Sequence, residues 1–514
     1  MTSISRRHVL AMGAVGLLAG CAPVSPPAPR PSRSRSTAPE IPANWDELAS
    51  AITGTLARPG DDAYDTVRLV ENPRFDDARP LGVLTATSAT DVAAGLAFAV
   101  AQKIPLALRS GGHSYTGWSS GGADGTDMPP SLVIDTRGMT DVIVDGGTVR
   151  IQAGASLAQV YTALGNAGRA IAAGSCATVG ATGLILGGGV GVLSRAYGLS
   201  CDSLVEVEIV TADGTLHTAT ESKEPELFWA CRGGGGGHLG VVTALTLTTQ
   251  AAPKVTMFTL EWPFSSAEDV VKAWQGWAPQ ADPKLWSALK LLAGTSHPEG
   301  PSLTVAGTWI GPKGELDAQL APLLTAVTEA PTRDVVTTHS YLDAMMSYAG
   351  CATIPLAECT TGEDGRLTRH SWAATSHVPY LELNRTAIAT LLDQVLAASA
   401  VPGLKEGGIA MDALGGRVRE LGPSATAFPH RTALMMVQYS AVFENGLDPA
   451  PFDAYVRGFR SALEPQWGDG AYVNYADASL PDPAKSYFGD NAARLSAARA
   501  KYDPTGLFTQ PQAY

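Results

Sequence analysis

The chain has 514 residues with 36 Lys+Arg against 49 Asp+Glu, a formal net charge of −13. That length exceeds one ordinary core, so two or more domains are expected. Charged residues at 17% and hydrophobic residues at 45% exclude a mainly disordered chain. The acidic balance argues against nucleic acid as a general partner, because such binding needs a basic patch to displace counterions.

In chain order, Arg6-Arg7 precede a short apolar run from Ala11 to Gly20. This reads as a twin-arginine export signal over residues 1–20, too short to span a membrane. Leu18-Ala19-Gly20-Cys21 resembles a lipobox. The expectation is a cell-surface lipoprotein, held at the membrane only through a lipid on Cys21, or a secreted protein if Cys21 is incidental. Residues 21–45, rich in Pro, Ser and Arg, read as a tether.

From 60 to 250 short strands alternate with few helices. Leu81–Thr85, Pro105–Arg109, Leu132–Asp135, Val142–Val144, Val149–Gln152, Leu204–Thr211 and Val241–Thr248 read as strands. Ser88 and Asp91 set a capping-box start for a helix carrying Val92, Leu96 and Val100. Residues 251–455 hold six of the ten tryptophans, helical patterns at Ala267–Trp277 and Thr386–Ala398, and strands near Leu303–Ile310 and Leu434–Phe443. They predict an antiparallel sheet with helices on one face. A loop-rich tail, 456–514, ends in a helix around Asn491–Tyr502.

Three glycine clusters stand out: Gly111-Gly112, Gly187-Gly188-Gly189 with Gly191, and Gly233 to Gly237. Such loops admit backbone N–H groups close to phosphate, or simply turn tightly. Their spacing is not G-x-G-x-x-G and no GKS or GKT triplet occurs, which argues against nicotinamide and P-loop sites. No histidine–cysteine spacing suits zinc, so no metal site is expected.

The run Arg109-Ser110-Gly111-Gly112-His113-Ser114, then Gly174-Ser175-Cys176-Ala177-Thr178-Val179-Gly180, resembles the FAD-linked oxidases of the vanillyl-alcohol-oxidase superfamily, closest to their berberine-bridge-enzyme-like branch. The match continues through Gly183, Gly187, Gly191, Arg195, Asp202, Leu227 to Arg232, and Tyr472-Val473-Asn474-Tyr475. It implies an α+β chain: a PCMH-type FAD-binding domain of two small α/β subdomains, a substrate domain built on an antiparallel sheet flanked by helices, and a tail returning to the FAD domain. It implies bicovalent FAD, with His113 on the 8α-methyl and Cys176 on ring carbon 6. The residues above, with Val241, Asn474 and Tyr475, would line the cofactor.

By the same resemblance Tyr472 is the catalytic base, taking the hydroxyl proton of a small-molecule alcohol, a sugar or a secondary metabolite. Asp412 either assists that phenol or caps the turn before Gly415-Gly416. Gln438 either points into the cavity or faces solvent on its strand. Val179 falls where a small residue accompanies access of O2 to the flavin and release of hydrogen peroxide. Electron transfer to another acceptor, or a non-catalytic ligand-binding lipoprotein, are the competing readings. Cys201 and Cys231 read as buried thiols, Cys351 and Cys359 as a possible disulfide, and His238 receives no role.

Overall fold

A computed structural model describes residues 44–514. The signal, Cys21 and nearly all of the tether lie outside the described residues. The tether's last residues already belong to structure: Asn44 caps the helix Trp45–Ala51, its side chain accepting from the Glu47 N–H. The first domain likewise begins before residue 60, because strand Thr55–Ala57 pairs antiparallel with Gly82–Thr85.

A four-stranded sheet runs in the order Thr55–Ala57, Gly82–Thr85, Leu132–Asp135, Leu106–Arg109, its last three strands parallel. The crossover helix Ala89–Gln102 starts where expected, with the Ser88 side chain accepting from Asp91 N–H. The reciprocal half of the capping box is absent. Asp91 instead accepts from the backbone N–H groups of Thr53, Gly54 and Thr87, tying the edge strand to the helix. A second, antiparallel sheet of five strands includes Thr148–Gln152, Val241–Thr248 and Leu204–Val210 side by side.

The third sheet has seven strands, all antiparallel, in the order Arg333–Ser340, Lys254–Glu261, Ser302–Trp309, Leu285–Ala293, Leu404–Ala413, Met435–Phe443, Ser371–His377. Side chains alternate between faces along a strand. Leu289, Leu291, Ile409, Met411, Val437 and Tyr439 therefore face the helices Ala267–Trp277, Lys313–Ala326, Arg385–Ala397 and Ala450–Trp467, forming one core with Trp274, Leu316, Leu391 and Phe459. Their neighbours Ala288, Lys290, Ala410, Asp412, Gln438 and Ser440 face a cavity instead. Five of these seven strands escape the sequence reading; in Leu285–Ala293 and Leu404–Ala413 a cavity face carrying Lys290 or Asp412 blurs the period-two signal.

Helix Ala450–Trp467 crosses the expected boundary at 455 and packs on strands Ser371–His377 and Met435–Phe443, so it belongs with the seven-stranded sheet. The return to the first domain starts near Tyr472, whose hydroxyl accepts from Gly189 N–H at 2.9 Å. Arg195, buried, fastens the halves by donating to the carbonyls of Leu285, Pro279, Ala281 and Leu414. Buried Arg431 grips Asp202 through two bonds of 2.7 and 2.9 Å. Both motif residues therefore act as structural ties.

Candidate active site

A cavity of about 450 Å³, typical for a small-molecule site, lies between the two N-terminal sheets and the open face of the seven-stranded sheet. Every site residue expected from the sequence lines it except Gly187. A Cβ at Gly187 would collide with the Asn474 side chain, so that glycine admits the returning tail.

The loops around His113 and Cys176 are built against each other. A Cβ on Gly111 would strike the backbone of Gly180, and one on Gly180 would strike Ser110 and Gly111. This close approach, not phosphate contact alone, requires those glycines. Gly112 adopts φ +74°, which glycine tolerates without cost. By contrast, Gly183 opens on the cavity, with nothing within 4 Å of an added Cβ. Arg109 and Ser110 hold the floor: Arg109 Nη1 donates to the carbonyls of Arg68 and Leu69, and Ser110 Oγ donates to that of Ala153. Ser114 Oγ accepts from Trp118 N–H, closing the turn after His113.

His113 and Cys176 converge on one residue. His113 Nε2 lies 2.9 Å from Thr178 Oγ1, and Cys176 Sγ lies 3.7 Å from the same oxygen. Burial depresses the His113 imidazole to about 4, leaving it neutral and nucleophilic near neutrality. Burial pushes the Cys176 thiol up, and the nearby Glu71 carboxylate adds to that shift, so Cys176 rests as a thiol.

Three tyrosines, Tyr115, Tyr472 and Tyr475, also line the cavity. The Tyr472 phenol oxygen accepts from Gly189 N–H and from Asn474 Nδ2, and Asn474 also donates to the Leu184 carbonyl. Tyr472 is almost fully buried, so this phenol is locked into the wall. Tyr475 is half-buried, stacks on Tyr115 at 5.3 Å, and senses the Asp412 charge, with burial driving its pKa well above the usual value. Gln438 Nε2 donates to Tyr115 Oη, which settles its direction: inward. Asp412 also faces inward. Burial lifts its carboxyl to about 6, against the opposing pull of Lys290 on the adjacent strand.

Sequence reasoning missed Glu71, Tyr115 and Lys290, all of which line the cavity. Tyr115 was within reach, two residues after His113 on the same loop. Glu71 and Lys290 carry no local motif and are brought in by topology. His238 lines the cavity as well, buried, its ring 4.7 Å from that of Tyr514. Cys351 and Cys359 form a disulfide, while Cys201 and Cys231 are buried free thiols.

The cavity suits a large polar cofactor. Six of the twelve buried side-chain polar atoms that lack a hydrogen-bond partner among the described residues line it: Arg109 Nε, which is ion-paired with Asp135 at 3.3 Å, Arg109 Nη2, Ser119 Oγ, Thr182 Oγ1, His238 Nδ1 and Trp286 Nε1. Buried polar groups are normally satisfied, so such a concentration marks where a polar partner belongs.

Comparison with known proteins agrees. Residues 80–220 match a family model described as FAD binding domain, and residues 471–513 match one described as berberine and berberine like. The chain is 31% identical over 468 residues to the uncharacterised FAD-linked oxidoreductase YgaK of Bacillus subtilis, covering 89% of this chain and 96% of that protein. It is 29% identical to the chitooligosaccharide oxidase of Gibberella zeae, over 84% of this chain and 87% of that one. The solved structure of Physcomitrella patens BBE-like 1 superposes with a TM-score of 0.82 at 27% identity, covering 92% of this chain and 99% of its own. Fold, cavity and relatives together place this chain in the berberine-bridge-enzyme-like family of FAD-dependent oxidoreductases, with a PCMH-type FAD-binding domain.

Proposed function

We propose that the chain is an oxidase of sugar or oligosaccharide hydroxyls that binds FAD covalently through His113 and Cys176 and releases hydrogen peroxide. The observation that carries this reading is the convergence of His113 and Cys176 on Thr178 in a cavity that Tyr475 and Asp412 also line. Likeness to a chitooligosaccharide oxidase supports the substrate class.

FAD held there would supply the two-electron acceptor for a C–H bond of the alcohol. Tyr475, not Tyr472, accepts the hydroxyl proton. Both acceptor positions of the Tyr472 oxygen are filled by the protein. Asp412 then takes the phenol proton, and its carboxyl at about 6 is poised to hold and release one near neutrality. Tyr115 and Gln438 position Tyr475 through stacking and their mutual hydrogen bond. Val179 leaves room at the cofactor wall for O2. The Cys351–Cys359 disulfide supports the exported location that the N-terminal signal suggests.

The test is anaerobic mixing of the yellow protein with chito-, gluco- and xylooligosaccharides. At least one should bleach the flavin, and air should restore the colour with hydrogen peroxide. Tyr475→Phe should slow bleaching ~10²–10⁴-fold, as loss of a general base does, and Tyr472→Phe far less. No bleaching by any sugar, or equal effects of the two variants, would overturn the reading.

A further inference from the structure

We propose that Glu71 is the proton acceptor that activates His113 for covalent attachment of the flavin, a positioning role outside the alcohol oxidation itself. It rests on the attachment reading above.

Glu71 is delivered to His113 by two independent segments. Its own N–H donates to the Gly112 carbonyl at 3.1 Å, clamping it to the loop that carries His113. Its Oε2 accepts from Thr361 Oγ1 at 3.0 Å. Thr361 follows the loop closed by the Cys351–Cys359 disulfide, and that disulfide packs against Ala177, next to Cys176. The arrangement places Glu71 Oε2 3.8 Å from His113 Nε2, an ion-pair distance. Thr178 Oγ1 lies on the same nitrogen at 2.9 Å. With Nε2 turned to Glu71 and Thr178, Nδ1 is the nitrogen left for bond formation.

The attachment step balances as follows. A C–N bond forms between His113 Nδ1 and the flavin 8α carbon, and one 8α C–H bond breaks. The imidazole becomes cationic until its Nε2 proton leaves for the Glu71 carboxylate. The isoalloxazine gains the electron pair and passes it to dioxygen, which with the two released protons becomes hydrogen peroxide. Without a proton acceptor at Nε2, the positive charge would persist in a buried site, a costly state.

The charged and titratable groups facing Glu71 are His113, Cys176 and Arg369, whose Nε donates to the Glu71 carbonyl. Burial lifts the Glu71 carboxyl to about 7, against the Thr361 hydrogen bond and the Arg369 charge. A group so balanced exchanges a proton readily at neutral pH.

The experiment uses the full chain carrying Cys176→Ala, so that His113 is the sole attachment point. The protein, produced under flavin limitation, is incubated with FAD across mildly acidic to mildly basic pH. Flavin retained after acid precipitation is followed in time, and the His113 peptide is checked by mass spectrometry. Attachment should slow below neutrality in the Cys176→Ala protein. Adding Glu71→Gln should slow it by roughly tenfold or more and flatten that pH dependence, while Glu71→Asp should restore part of both. Flavin bound without a covalent link, measured by gel filtration, reports that each variant has folded. Unchanged rate and pH profile in Glu71→Gln would overturn the proposal. If Cys176→Ala alone never retains flavin on His113, the attachment reading itself fails first.

Discussion

In the proposed reaction Asp412 serves chemistry at the expense of stability: its carboxyl, raised by burial from 3.8 to about 6, must be ionised to accept the Tyr475 proton. Flavin reduction by a sugar should therefore fall as pH drops through about 6, and Asp412→Asn should remove that limb while lowering the plateau. The linkage has the opposite sign for stability. Because the folded pKa lies above the unfolded one, the stability tied to this carboxyl is full below 3.8 and lost as pH rises through about 6. Asp412→Asn should thus melt higher than wild type at neutral pH. A melting-temperature series and a stopped-flow pH profile on the same variant check both signs, and parallel movement of the two would contradict this account. At this scale the sequence was legible where chemistry follows the chain: His113, Cys176 and Asp412 all reach the cavity. The resemblance puts the base at Tyr472 and the proposal above puts it at Tyr475, because a four-residue motif does not reveal which of two phenols the backbone of Gly189 will engage.

Between elements, the contacts that assemble the cavity are mostly buried arginines reaching carbonyls and carboxylates. Arg431 is fully buried and bidentate on Asp202, which links the turn Thr426–Arg431 to the loop after the Gly187–Gly191 cluster. Removing one partner leaves the other charge buried, so Arg431→Leu should cost ~3–5 kcal/mol. Denaturant unfolding should show that loss, and a loss under 1 kcal/mol would mean the pair is solvated. The strands Gly82–Thr85, Leu106–Arg109, Leu132–Asp135 and Val241–Thr248 were readable because their Val, Ile and Leu runs are covered on both faces, and Thr148–Gln152 because its burial alternates. The strands Leu285–Ala293 and Leu404–Ala413 were not, since a cavity face carrying Lys290 or Asp412 interrupts the apolar pattern.

Taken as a whole molecule, the chain encloses its chemistry by returning on itself. The tail from Tyr472 crosses back to the first domain, closing the cavity against Gly187 and Gly189. The family resemblance carried by the runs Arg109–Ser114 and Gly174–Gly180 implied a flavin protein with an antiparallel-sheet domain, but the meeting of Glu71, Thr361 and the disulfide loop needed three dimensions. The central claim is that this cavity holds flavin by two covalent links. It is tested most directly by precipitating the purified protein with acid and mapping the flavin peptides by mass spectrometry. The account predicts a yellow pellet in which one flavin joins the peptides of His113 and Cys176. A colourless pellet, with all flavin in the supernatant, would contradict it.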